Sequence, residues 1–282
     1  MFACRRVHVS SLLALAAGCF GQMAYAEVDR ALDEVSVSVG AFANSTSASL
    51  RADGAILGSG TVVDFDRDLG QGGTKSLPYF DVTWRPWDHH EFELSYFSES
   101  NSHTRTLTRN IIFNGNEFIV GSQLGSKFSV DAGSITYRYW AWTSDDAAFG
   151  IFGGLQWYSI SLDVNGTVGI TDSDGSVTQT SSASAKVSST LPDPSIGLSY
   201  RYQMADWARL VADGGGFKIN VENVDATLYN ARIGVEFYPW TNFGVVTQYA
   251  YNKIEADVDR TNFLGNADIK FSGFQVLLKA RF

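Results

Sequence analysis

Residues 34 to 282 alternate between apolar and polar positions. Near the end, Phe274, Val276, Leu278, Ala280 and Phe282 share one face, while Gln275, Leu277, Lys279 and Arg281 share the other. Tyr229, Ala231, Ile233, Val235 and Phe237 oppose Asn230, Arg232, Gly234 and Glu236 in the same way. So do Phe92, Leu94 and Tyr96 against Glu91, Glu93 and Ser95, and Ile196, Leu198, Tyr200 and Tyr202 against Gly197, Ser199 and Arg201. A period of two predicts β-strands with one apolar side. The runs are long. Residues 127–142, 147–164 and 184–203 exceed the ~5–6 residues of an ordinary strand and cover the ~9–11 that a membrane-spanning strand needs. The pattern predicts ten strands, at 34–45, 75–84, 90–106, 126–142, 147–164, 184–203, 207–220, 225–238, 242–257 and 264–282.

The connections alternate too. Short turns fall at residues 85–89, 143–146, 203–206 and 239–242, with long polar stretches at 44–74, 98–126 and 165–183 and a shorter one at 257–262. The link at 219–225 is in the long-loop phase but is short. Short turns on one rim and long loops on the other are the pattern of an outer-membrane barrel. Six of the seven Trp (Trp84, Trp87, Trp140, Trp142, Trp207 and Trp240) lie in or beside the short turns, with Tyr137, Tyr139, Tyr200, Tyr202 and Tyr238 close by. Amphipathic rings favour the membrane–water interface, so these residues are expected to form one aromatic girdle. The predicted fold is all-β, a transmembrane antiparallel up-and-down β-barrel. Residues 44–74 leave the count open, because a hidden hairpin there gives twelve strands, whereas eight requires discarding plausible strands. A soluble secreted β-sandwich is the alternative fold.

Composition changes little: 27 Gly, 5 Pro and 13% aromatic residues suit strands, and a mean hydropathy of -0.05 suits many soluble domains. The N-terminus changes more. Arg5 and Arg6 precede an uncharged, largely apolar stretch from Val9 to Phe20, and Ala24-Tyr25-Ala26 follows. This predicts a signal peptide over 1–26 and a barrel domain over 27–282. A lipoprotein-like box at Ala16 to Cys19 is the rival reading. Cleavage after Ala26 removes Cys4 and Cys19, so neither a disulfide nor thiol chemistry is expected. It also removes Arg5 and Arg6 and no acid, taking the formal charge from -9 to -11. That acidity excludes a nucleic-acid partner.

The chain ends on an alternating strand with a terminal aromatic, Phe282. It resembles the C-terminal signature by which outer-membrane barrels are recognised for insertion in Gram-negative bacteria. With the strands, turns and girdle, the chain resembles the small outer-membrane β-barrel superfamily, which includes OmpW-like and opacity-type porins. Residues 63–70 look like a segment met after the first strand in some of its members. The resemblance implies the outer membrane as location, with lipid, lipopolysaccharide and the barrel-assembly machinery as partners. It does not imply an oligomeric state.

In this register Glu91, Glu93, Arg138, Gln156, Arg201, Arg209, Arg232, Glu236, Gln248, Lys279 and Arg281 point inward. Glu93, Arg138, Arg201, Arg209, Arg232 and Glu236 are the lumen and selectivity candidates. Two outcomes stay open: a narrow porin-like channel for small solutes, or a lumen closed by salt-bridged side chains, as in small barrels. The leading functional expectation is the narrow porin-like channel, with a non-conducting structural or surface-interaction barrel as the alternative. An outer-membrane hydrolase is a third possibility. His103, with Ser98, Glu99, Ser100 and Ser102 nearby, is its one outer-side histidine, but no catalytic motif accompanies it. No catalytic residue and no cofactor are expected. Asp64, Asp66 and Asp68 fail as a calcium loop, because Leu69 and Lys75 stand where Gly and Glu are needed. His89-His90 lack a third ligand, so no metal site is expected.

Overall fold

The computed structural model describes residues 31–52, 61–113, 116–171, 177–221, 224–260 and 263–282. The expected signal peptide and both cysteines lie outside these residues. Ten long strands form the wall: β1 (Val35–Ala52), β3 (Thr74–Trp87), β4 (His90–Thr106), β7 (Gln123–Thr143), β8 (Ala147–Thr171), β9 (Val177–Ala205), β10 (Ala208–Val221), β11 (Val224–Trp240), β12 (Phe243–Arg260) and β13 (Phe263–Arg281). Each pairs antiparallel with its chain neighbour in the wall, and β13 closes on β1 from Ser36↔Arg281 to Ala52↔Gly265. Closure leaves no sheet edge within the ring, which a bilayer requires of any β structure.

Three short strands stand off the ring: β2 (Val63–Asp64), β5 (Ile111–Phe113) and β6 (Asn116–Phe118). The segment that left the strand count open resolves through β2. β1 runs on to Ala52, and β2 then pairs back onto it at Leu50↔Val63 and Ser49↔Asp64. Residues 61–73 return over the barrel mouth as a cap, with Phe65, Leu69, Asp68 and Gln71 buried. Asp64, Asp66 and Asp68 therefore do not line one face of an extended segment. They lie on a turn, where the Arg67 amide donates to Asp64 Oδ1 at 2.7 Å. Gly70, at φ 66°, ends that turn against the His103 ring.

The outer surface carries the apolar alternation. Leu94, Ile135, Ile151, Leu198, Ile233 and Leu278 are all exposed. So many exposed aliphatic side chains around a closed ring mean contact with lipid. On β8 the belt runs from Phe149 to Trp157, eight residue steps or about 27 Å along the strand. Beyond it, outward residues turn polar at Ser159, Ser161 and Asp163. Trp84, Trp87, Trp142, Trp207 and Trp240 are exposed at the short-turn rim, as expected of a girdle. Trp140 and Tyr238 are corrections. Both are buried in the lumen, Trp140 at 0% exposure. Both continue the inward parity of Arg138 and Glu236, and the register shifts that follow Trp140 and Phe237 turn Trp142 and Trp240 outward instead. Bulges re-aim side chains at strand ends in this way, and sequence spacing does not reveal them.

At the β1–β13 seam a Cβ at Gly273 would run into the Ala43 carbonyl, and one at Gly40 into that of Val276. Gly273→Ala is expected to destabilise the closed ring by about 1–3 kcal/mol. In detergent, a larger fraction should then run at the unfolded position on a semi-native gel. Refolding at the wild-type yield would contradict this tight seam.

Candidate functional site

The inward positions are arranged in layers. From the short-turn end, β13 presents Arg281, Lys279, Leu277, Gln275 and then Phe271. β4 presents Glu91, Glu93, Ser95, Phe97 and Glu99. The first layers are charged. Arg209, from β10, donates to Glu236 Oε2 through Nε at 2.7 Å and to Asp33 through both terminal nitrogens, at 3.0 and 2.6 Å. Lys279 Nζ lies 2.8 Å from both Glu236 and Asp33. Burial alone would raise the Asp33 carboxyl, but Arg209, Lys279 and Arg281 hold it well below the usual carboxylate range.

A second charged layer follows. Arg232 grips Glu93 with two bonds, at 2.9 and 3.0 Å, and reaches Asp213 at 2.6 Å. Arg201 donates to Asp213 at 2.9 Å. Arg138 donates to Glu91, to Glu93 at 3.1 Å and to Ser199 Oγ at 2.6 Å. Three arginines thus face three acids, with the buried Asp81 lining the same cavity and accepting a bond from Ser38 Oγ at 3.3 Å. Trp140 lies beside this layer, with Nε1 donating to Glu91 at 3.0 Å and the Arg138 and Arg201 guanidiniums each 5.5 Å from its ring. All six sequence candidates fall in these layers: Glu93, Arg138, Arg201 and Arg232 in the second, Arg209 and Glu236 in the first.

Sequence reasoning missed three components. Asp213 continues the inward alternation of Arg209 and Val211, a usable signal obscured by the glycines behind it. Asp33 precedes the first strand and gives no periodic signal. The third is an apolar septum across the lumen. Phe42 and Phe97 pack edge to face at 5.8 Å, Phe97 meets Phe271 at 5.9 Å, and Phe271 stacks on Tyr158 at 5.7 Å. Phe128, Val130, Leu162 and the cap residues Phe65 and Leu69 extend this core toward the loop end. Burying each ring contributes about 2–3 kcal/mol. The lumen therefore divides into a charged half and an apolar half, whereas the alternation had suggested one polar interior. It keeps cavities of about 50 Å³ among the charged layers and about 100 Å³ beneath the septum. Each has room for a few water molecules.

Over the septum, Asp68 is buried in the cap, held by Arg109 at 2.6 Å and Arg67 at 3.1 Å. Burial works against its ionisation, yet the two guanidiniums keep it well below the ordinary carboxylate range. Gln71 donates to Ser126 Oγ at 2.9 Å, and Lys75 pairs with Glu99 at 3.1 Å. His103 shares the inward face of β4 with Glu99, while Ser98, Ser100 and Ser102 stand on the opposite face. The Ser126 hydroxyl donates to the His103 carbonyl at 3.3 Å rather than to its ring. His89 Nδ1 lies 2.7 Å from the Trp140 carbonyl, and His90 Nδ1 lies 2.7 Å from the Tyr137 hydroxyl. Among the described residues no group of three or more metal-ligating side chains forms a site.

No family model and no curated protein matches the chain. Among solved structures, it is similar to the outer membrane protease OmpT from Escherichia coli, with a TM-score of 0.56 and 11% identity over 88% of this chain and 96% of that one. Looser overlaps reach the Pseudomonas putida toluene transporter TodX (TM-score 0.36, 11% identity, 91% and 93% covered). They also reach Neisserial surface protein A (TM-score 0.28, 11% identity, 88% and 97% covered). At such identity the OmpT likeness is one of fold, and the looser overlaps carry no argument. The chain has the outer-membrane β-barrel fold.

Proposed function

We propose that this protein is a closed outer-membrane barrel of a Gram-negative bacterium and acts through its outer face rather than as an open porin. The observation that carries this reading is the filled lumen, with two ion-paired layers, a septum of four rings and an ion-paired cap in series. The short-turn rim is then periplasmic, and β8 and β9 rise furthest outside. Above the lipid belt, the outward faces of β4, β7, β8 and β9 form polar cross-strand rows. One row is Ser100–Ser129–Ser161–Ser188, and the next is Ser102–Lys127–Asp163–Lys186. This broad, weakly charged sheet suits contact with lipopolysaccharide or an external partner. The hydrolase reading loses Ser98, Ser100 and Ser102 as partners of His103, since they lie on the opposite face of β4, and Glu99 on the shared face is engaged by Lys75.

A narrow channel is the second reading, favoured by the water-sized cavities of the charged half. Single-channel recording of the refolded barrel in planar bilayers separates the two. We expect insertion without discrete steps. Stable steps would overturn the closed-barrel reading and make Glu93, Arg138, Arg201, Arg209, Arg232 and Glu236 the residues that select among ions.

A further inference from the structure

We infer that the short-turn mouth, periplasmic in the reading above, is a binding site for small carboxylates that the chain fills with its own Asp33. Residues 31–34 act as a strap. Glu34 and Val35 both donate their amides to the Phe282 carbonyl, at 3.1 and 3.0 Å, and tie the strap to the rim. Before that tie the chain turns into the lumen, where Ala31 and Leu32 are buried with Trp140 and Ala148. Asp33 then meets a guanidinium fork from Arg209, the Lys279 ammonium at 2.8 Å and Arg281 at 3.6 Å. Planar two-point contact of this kind is how arginine recognises a carboxylate.

The cations belong to the wall and the acid to the strap. Arg209 and Arg281 are oriented without Asp33. Arg209 is held by Glu236 and by the Tyr238 hydroxyl at 2.8 Å. Arg281 lies over the Tyr238 ring at 3.5 Å and donates through Nε to the Thr241 carbonyl at 2.8 Å. Without Asp33, Arg209 and Lys279 would keep Glu236 as their bonded acid and Arg281 would lose its carboxylate partner, with Asp81, Glu91 and Glu93 further along the same cavity. The site also has a donor to spare, because Arg281 Nη1 is buried with no hydrogen-bond partner. Above the strap lies the cavity of about 50 Å³, lined in part by Leu32, Asp33 and Lys279. A small carboxylate therefore has a preformed seat of one guanidinium fork, one ammonium and a spare guanidinium donor, and the tethered Asp33 competes for it at a high local concentration.

Chemical rescue tests this whether or not the barrel conducts. Asp33→Ala should lower the barrel's melting midpoint by about 5 °C or more. Sodium acetate should restore at least half of that loss saturably, where sodium chloride of equal ionic strength does not. Asp33→Asn should resist rescue, because its carboxamide still fills the seat. Wild-type melting in Asp33→Ala, or equal effects of acetate and chloride, would overturn the inference. If Asp33→Ala does not refold, Leu32→Ala keeps the acid but weakens the strap. Acetate should then speed trypsin cleavage after Arg30 several-fold over chloride, and an acetate-independent rate would equally overturn it.

Discussion

Replacing Arg138 with Met is expected to cost the folded barrel about 3–5 kcal/mol, because it strands buried Glu91 with only the Trp140 Nε1 bond and leaves Glu93 and Asp213 to Arg232 and Arg201. Arg138 holds Glu91 and Glu93, lies 3.6 Å from Asp213, bonds Ser199 and packs on Trp140. Lys is not a conservative replacement here. One ammonium cannot span these partners as a planar fork does, so Arg138→Lys should fall between Met and wild type. Adding Glu91→Gln to Arg138→Met removes one stranded charge and should recover part of the loss, whereas independent sites would add their penalties. Urea unfolding in micelles, followed by tryptophan emission, measures all four proteins. A loss below about 1 kcal/mol for Arg138→Met would mean that lumen water supports these charges, and the ion-paired layers would lose their role as a plug.

The second large effect concerns the cap. Phe65 packs edge to face on Phe128 at 4.8 Å and is 3% exposed. Phe65→Asp forfeits that burial and places a charge in the apolar half, so the cap should leave the mouth while the wall stays paired. Losing about 3–5 kcal/mol of local packing raises the open population roughly 10²- to 4 × 10³-fold. Arg67 lies two residues away on the cap turn, so trypsin cleavage after Arg67 should accelerate by about that factor in the still-folded barrel. A rate within threefold of wild type would show that the ion pairs of Asp68 hold the cap without its apolar anchor.

The fold was largely legible because lipid on the outside enforces what a soluble core enforces on the inside: one apolar face per strand, with period two. All ten wall strands lie where the alternation predicts them, extended at their ends. The inward direction of Glu93, Arg138, Arg201, Arg209, Arg232 and Glu236 follows from the same parity. Their partners were less legible. Arg232 meets Glu93 across 139 positions of sequence, and Arg209 meets Asp33 across 176. Such pairs depend on ring closure and strand stagger, which no local pattern encodes.

Alternation by itself thus determined the strands, the lipid-facing side and the charged identity of the inner one, since each is a property of single positions. Only the tertiary structure decided what fills the barrel. Trp142 and Trp240 turn outward because a bulge shifts their register, a backbone event with no composition of its own, while Trp140 and Tyr238 keep the inward parity of Arg138 and Glu236. Phe42, Phe97, Tyr158 and Phe271 come from four separate strands and become a septum only when the sheet curls around them. The segment at 61–73 reads as a polar loop, yet it becomes a cap because the closed ring offers Phe65 and Leu69 an apolar seat and Asp68 two guanidiniums.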